Sequence, residues 1–156
     1  MVRKRVDRPL SYSPARWDDD RIRLLEKVFD EIKCLEKNDL IVVEGKNDIQ
    51  SLRLIGVNCK IITQKELSGL TKVVLNKQTK GSHFILLPDF DQEGQENIRR
   101  WRKLLERTGL VNDTLWKRLR TLTKGDIMDI QSLSVLARRF RMVKEEIWLD
   151  PDEPVS

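Results

Sequence analysis

Three short apolar runs, each leading into a helix-like stretch, constrain the fold of this chain more than any other feature. Leu40-Ile41-Val42-Val43, Cys59-Lys60-Ile61-Ile62-Thr63 and His83-Phe84-Ile85-Leu86-Leu87 are brief, and the first is rich in β-branched side chains. Runs that short and continuous mark strands buried on both faces, as in parallel sheets. After the first run, Ile49, Leu52 and Ile55 recur at helical spacing, with Asn47 or Asp48 as cap and Gly56 as stop. After the second, Leu67 to Leu75 reads as a short helix, and Lys77 to Ser82 as a polar turn. Pro88 closes the third run, and a long helix is expected over about 92–108, with Ile98, Trp101, Leu104 and Leu105 inward and Gly109 as its end. Strands alternating with helices predict an α/β fold: a parallel sheet of three or four strands, helices on both faces, right-handed crossovers.

Further helices are expected at both ends. Ile22, Leu25, Phe29 and Ile32, with Val28 and Leu35 beside them, form one helical face that Asp18 or Asp19 can cap and that runs to about Glu36. Toward the other end, Thr114 can cap a helix carrying Leu115, Leu119 and Leu122, and Lys124-Gly125-Asp126 breaks it. Ile130, Leu133, Leu136, Ala137 and Phe140 suggest a last helix. The organisation expected is a basic flexible arm over 1–17, an N-terminal helix over 18–37, a central domain over 38–122, a C-terminal helical extension over 123–145 and an acidic tail over 146–156. A chain of 156 residues suits one domain with a real core.

Ligands of parallel sheets bind at the carboxyl ends of the strands. Two of the three runs end there on carboxylates. Glu44 leaves the first; Asp89 and Asp91 leave the third, with Glu93 and Gly94 in the first turn of the helix that follows. Either group alone is ordinary, since single acids in such places are usually solvated loop residues or helix caps. Together they predict carboxylates converging from neighbouring strand ends. Such a group repels itself, and a hard cation such as Mg²⁺ relieves it while keeping several waters.

The segments Ile41-Val42-Val43-Glu44-Gly45-Lys46-Asn47-Asp48 and Leu86-Leu87-Pro88-Asp89-Phe90-Asp91-Gln92-Glu93-Gly94 resemble the Toprim family, the domain shared by topoisomerases, bacterial-type primases and some nucleases. The match spans about residues 38–122 and implies a Toprim, Rossmann-like sheet. More narrowly, the chain resembles the small stand-alone archaeal Toprim proteins of unassigned function, in size, in Leu52-Arg53-Leu54-Ile55-Gly56 and in its helical tail. The resemblance implies Glu44 as general acid/base or metal ligand, Asp89 and Asp91 as holders of one or two Mg²⁺ ions, and Glu93 as an auxiliary acid. It makes Glu44 and Asp89 the catalytic candidates and Lys46 a candidate phosphate contact. Phe90 departs from the small residue or proline frequent between the aspartates, and is expected to turn its ring into the core.

A net charge of +5 and a pI near 9.3 favour a polyanionic partner. Arg99, Arg100, Arg102, Lys103, Arg107, Lys117, Arg118, Arg120 and Lys124 crowd one stretch, opposed only by Glu106 and Asp113, and Arg138, Arg139, Arg141 and Lys144 follow. Nucleic acid, DNA or RNA, is the expected partner. Trp101 and Trp116 are candidates to stack bases, although the spacing of Trp101 favours the core. The expected activity is phosphodiester cleavage or phosphoryl transfer; the alternative is a non-catalytic nucleic-acid-binding protein or an accessory subunit of a DNA- or RNA-processing complex.

Other classes fit less well. Gly45-Lys46 lacks the upstream glycine of a phosphate-binding ATPase loop. Glu44-Gly45 is a poor match to a phosphoacceptor aspartate of a receiver domain. Tyr12, the one tyrosine, lies in the basic arm, so a complete topoisomerase is not expected. His83 has no histidine partner and reads as structural. Cys34 and Cys59 form no CxxC pair and read as reduced thiols. Without a secretory apolar segment or a run of about 20 apolar residues, a cytoplasmic, non-membrane protein is expected.

Overall fold

The computed structural model describes residues 17–69 and 82–143. The elements run in the order α1 (Asp19–Lys33), β1 (Asp39–Val43), α2 (Lys46–Ile55), β2 (Lys60–Thr63), α3 (Gln64–Gly69), β3 (His83–Leu86), α4 (Gln92–Leu105), β4 (Leu110–Asn112), α5 (Thr114–Thr123) and α6 (Leu133–Arg139). The four strands form one sheet in the order β2-β1-β3-β4, every pairing parallel. The α/β architecture expected from the alternating pattern is therefore present, with helices packed around the sheet and flanking it at both ends.

Burial explains why the short runs are strands. Ile41, Val42, Val43, Phe84 and Leu86 are completely enclosed, so β1 and β3 are buried on both faces. The chain steps from β1 outward to β2, returns across β1 to β3, and steps outward again to β4. The direction of winding thus reverses between β1 and β3, and this reversal opens a crevice at their carboxyl ends. Right-handed crossovers in opposite lateral directions also place α2 and α4 on opposite faces.

The fourth strand has no apolar run to announce it. It is three residues long, and Leu110 and Asn112 are exposed. Its position follows from Gly109: a Cβ there would fall 2.2 Å from the Ser82 carbonyl oxygen, so only glycine lets this backbone close on the start of β3.

Helix boundaries differ from expectation for local reasons. Helix α1 stops at Lys33, not Glu36. Helix α3 begins at Gln64 rather than Leu67 because Thr63 and Glu66 cap it reciprocally: Glu66 N–H donates to Thr63 Oγ1 at 3.2 Å, and Thr63 N–H donates to Glu66 Oε1 at 3.1 Å. The remainder of that expected helix, and nearly all of the polar turn, lie outside the described residues, as do residues 1–16 and 144–156. The cap of α2 is Gly45, with Asp48 accepting its N–H at 3.0 Å from the third helical position. Helix α4 ends at Leu105, and Leu104, expected inward, is exposed. Asp113, not Thr114, precedes α5, and Ile130 is fully buried ahead of α6 rather than within it.

Trp17 belongs to the core rather than to the basic arm. Its ring meets Phe140 at 5.0 Å between centroids, the Arg21 guanidinium sits 3.8 Å over it, and its Nε1 donates to Asp126 Oδ2 at 2.8 Å. Arg21 also donates from Nε to the Leu122 carbonyl at 2.6 Å. The start of α1, the end of α5 and the end of α6 are thereby tied together. Helix α1 packs on α5, and α2 on α6. Cys34 is exposed and Cys59 buried, both as free thiols. Among the described residues, no helix is long and apolar enough to cross a membrane.

Candidate functional site

The crevice between β1 and β3 brings Glu44 and Asp89 together. Glu44 is the first residue beyond β1, and Asp89 follows β3 by way of Leu87 and Pro88. The Asp89 backbone N–H donates to Glu44 Oε2 at 3.0 Å. Asn97, on the buried face of α4, donates from Nδ2 to the same oxygen at 3.0 Å. Ile130 N–H, from the segment between α5 and α6, donates to Asp89 Oδ1 at 3.1 Å. Each carboxylate is thus held in place by backbone or side-chain donors rather than left to rotate in water.

Burial pushes the Asp89 carboxyl up to about 7, against the pull of the Ile130 N–H, and the Glu44 and Asp48 carboxylates raise it further. Asp48 is also raised, first by burial and then by Glu44 and Asp129, although the Gly45 N–H opposes this. Two like charges held close in partial enclosure favour a bound proton or a bound cation.

The other expected site residues lie nearby in sequence. Asp91 Oδ1 accepts the Gly94 N–H at 2.7 Å and so caps α4. Glu93 is exposed in the first turn of α4, and Lys46 is exposed at the start of α2. Among the described residues no group of three or more His, Cys, Asp or Glu side chains stands together ready to hold a metal. The arrangement is a close pair, Glu44 with Asp89, with Asp91 fixed at the head of α4. Hard carboxylate oxygens of this kind suit Mg²⁺, which often takes only one or two carboxylates and completes its shell with water and phosphate.

Phe90 turns inward as expected and packs against Trp116, with centroids 6.3 Å apart. Trp116 does not face solvent. It is buried, and its Nε1 donates to the carbonyls of Pro88 at 2.8 Å and Asp89 at 3.2 Å. Both Trp101 and Trp116 are core residues, so neither is placed to stack bases. Trp116 instead clamps the turn that presents Asp89. Trp116→Phe keeps the ring packing but removes the donor; the expected loss is about 1–3 kcal/mol of stability, readable as a lowered midpoint in chemical denaturation.

The helical extension after α5 forms one wall of the site. Phe90 N–H donates to the Met128 carbonyl at 2.7 Å, one residue from the Asp89–Ile130 bond. Ser51 Oγ donates to the Ile130 carbonyl at 3.1 Å and accepts Ser134 N–H at 3.1 Å, which ties α2 to this wall. Asn97, Asp48 and the 128–130 backbone were not anticipated as parts of the site. The available signal for Asn97 was a polar residue on the apolar stripe of Ile98, Trp101 and Leu105. Backbone donors such as Ile130 N–H leave no signal.

Several basic residues of α4, α5 and the turn between them are paired, and others are exposed. Arg102 and Lys117 pair with Asp113 at 3.2 and 3.4 Å, and Arg118 pairs with Glu31 at 2.7 Å. Arg99, Lys103, Arg107 and Arg120 are exposed.

No protein-family model matches the chain. It is similar to a UPF0292 protein of Thermococcus sibiricus, 30% identical over 129 residues, which covers 80% of this chain and 97% of that protein. A UPF0292 protein of Pyrococcus horikoshii is 32% identical over 137 residues, covering 87% of this chain and 98% of the relative. Among solved structures, a putative protein from Aquifex aeolicus shares the fold with a TM-score of 0.53 and 26% identity, covering 69% of this chain and 96% of that one.

Proposed function

The chain belongs to the UPF0292 proteins, and we propose that it is a Mg²⁺-binding, Toprim-like protein acting on nucleic acid by phosphodiester cleavage or phosphoryl transfer. The observation that carries this reading is the meeting of Glu44 and Asp89 at the carboxyl ends of β1 and β3, where the sheet reverses its winding. Glu44 and Asp89, with the second oxygen of Asp91, are the groups that would hold the ion. Bound there, Mg²⁺ supplies charge neutralisation at a phosphoryl oxygen. The protein's own part is positional and protonic. Asn97 and the Asp89 N–H hold Glu44 as an acceptor, able to take a proton from an attacking hydroxyl or water. The raised carboxyl of Asp89 can hold a proton near neutrality. Lys46, exposed at the start of α2, is the candidate phosphate contact.

The test is a cleavage assay on single- and double-stranded DNA and RNA in Mg²⁺ and in Mn²⁺. Wild-type protein should cleave at least one of these, and Glu44→Gln should lose on the order of 100-fold or more of that rate. A preparation inert on all four substrates in both metals defeats the catalytic reading.

A second reading, a non-catalytic nucleic-acid-binding or accessory subunit, is favoured by the exposed Arg99, Lys103, Arg107 and Arg120. It predicts binding that weakens steeply with salt, unaffected by Glu44→Gln and unaccompanied by cleavage.

A further inference from the structure

Asn97 is wholly buried, and its side chain lies between a surface arginine and the acid that leaves β1. Arg100 Nη2 donates to Asn97 Oδ1, and Asn97 Nδ2 donates to Glu44 Oε2 at 3.0 Å. The polarity of this chain is forced. A guanidinium only donates, so the amide oxygen must face Arg100 and the amide nitrogen must face Glu44. The Asp89 N–H reaches the same Glu44 oxygen at 3.0 Å. Two N–H donors therefore fall on Oε2, and among the described residues no N–H donor falls on Oε1.

We infer that Asn97 is a positioning residue, oriented by Arg100, that holds Glu44 in one rotamer with its other oxygen left for a cation. The inference rests on the reading of Glu44 as the working acid of the site. It gives Arg100, exposed like its neighbour Arg99 on α4, a role exerted through Asn97. A donor that orients a metal-binding carboxylate typically changes metal affinity about 10–100-fold when removed.

Two measurements test this. In metal-free protein, the side-chain amide signals of Asn97 in ¹⁵N NMR should be slow to exchange, and both Arg100→Leu and Glu44→Gln should move them. In calorimetric titration with Mg²⁺ alone, Asn97→Leu should weaken binding about tenfold and Arg100→Leu several-fold. The double variant should be no worse than Asn97→Leu, because both act along one path. Arg100 is exposed, so its variant keeps the test open if Asn97→Leu fails to fold. Amide signals indifferent to both substitutions, or affinity losses that add independently, overturn the inference. If wild-type protein takes up no Mg²⁺, the metal reading of the site fails, and the amide signals alone decide the role of Asn97.

Discussion

Asp89→Asn should stabilise the metal-free protein at pH 8, and by only about a third as much at pH 5. Folded Asp89 keeps its proton up to about pH 7, whereas an unfolded aspartate releases it near pH 3.9. Between those values the folded state binds more protons than the unfolded one. Stability from this group is therefore present at low pH and lost as pH rises through the folded value. Above pH 7 the ionised carboxylate sits, partly desolvated, beside Glu44 and Asp48. An asparagine there carries no charge and can still accept the Ile130 N–H through its oxygen. Asp89 retains some contact with solvent, so the expected gain at pH 8 is about 1–2 kcal/mol rather than the full value for an enclosed group. Chemical denaturation of both proteins at pH 5 and pH 8 measures it. A variant less stable than wild type at pH 8 contradicts the raised carboxyl. A stabilising substitution at a candidate site is expected where function, not stability, selected the residue.

Gly94→Ala should have the largest destabilising effect of any single methyl added to the crevice. A Cβ at Gly94 would stand 1.8 Å from the Asp89 carbonyl oxygen and 2.8 Å from its carbon. Those are backbone atoms, and Trp116 Nε1 donates to the same carbonyl. Neither can yield without moving the turn or the first turn of α4. The expected loss is on the order of 2–4 kcal/mol, or a fall in Tm of roughly 5–10 °C for a domain of this size. Gly45→Ala is the control. A Cβ at Gly45 meets nothing within 4 Å, its φ of −150° is open to any residue, and stability should change by less than about 0.5 kcal/mol. Equal losses at the two glycines would mean that close packing of α4 on the Asp89 turn is not what requires Gly94.

The contrast between these glycines shows how far the sequence could be read. Both follow an acid and open a helix, and no pattern of neighbours separates them. Only the tertiary approach of α4 to the turn after β3 does. Strands β1, β2 and β3 were legible because burial on both faces demands continuous apolar runs. Strand β4 was not, because an edge strand of three residues buries too little to leave a pattern. The cap at Thr63 and Glu66 was visible as a Thr-x-x-Glu signature, and attending to it would have placed the start of α3 at Gln64. Glu44 and Asp89 could be anticipated as neighbours, since strand ends converge whatever the loops do. The helix-capping role of Asp91, the clamp from Trp116 and the donor from Ile130 depend on side-chain direction and backbone position, which residue type does not encode.

Magnesium titration calorimetry on the wild-type protein and on Asp89→Asn and Asp91→Asn tests the central claim most directly. The account predicts saturable Mg²⁺ binding by wild type, abolished in Asp89→Asn and at least weakened in Asp91→Asn, with both variants folded by circular dichroism. Binding that survives Asp89→Asn unchanged, or no binding by wild type at millimolar Mg²⁺, would contradict it.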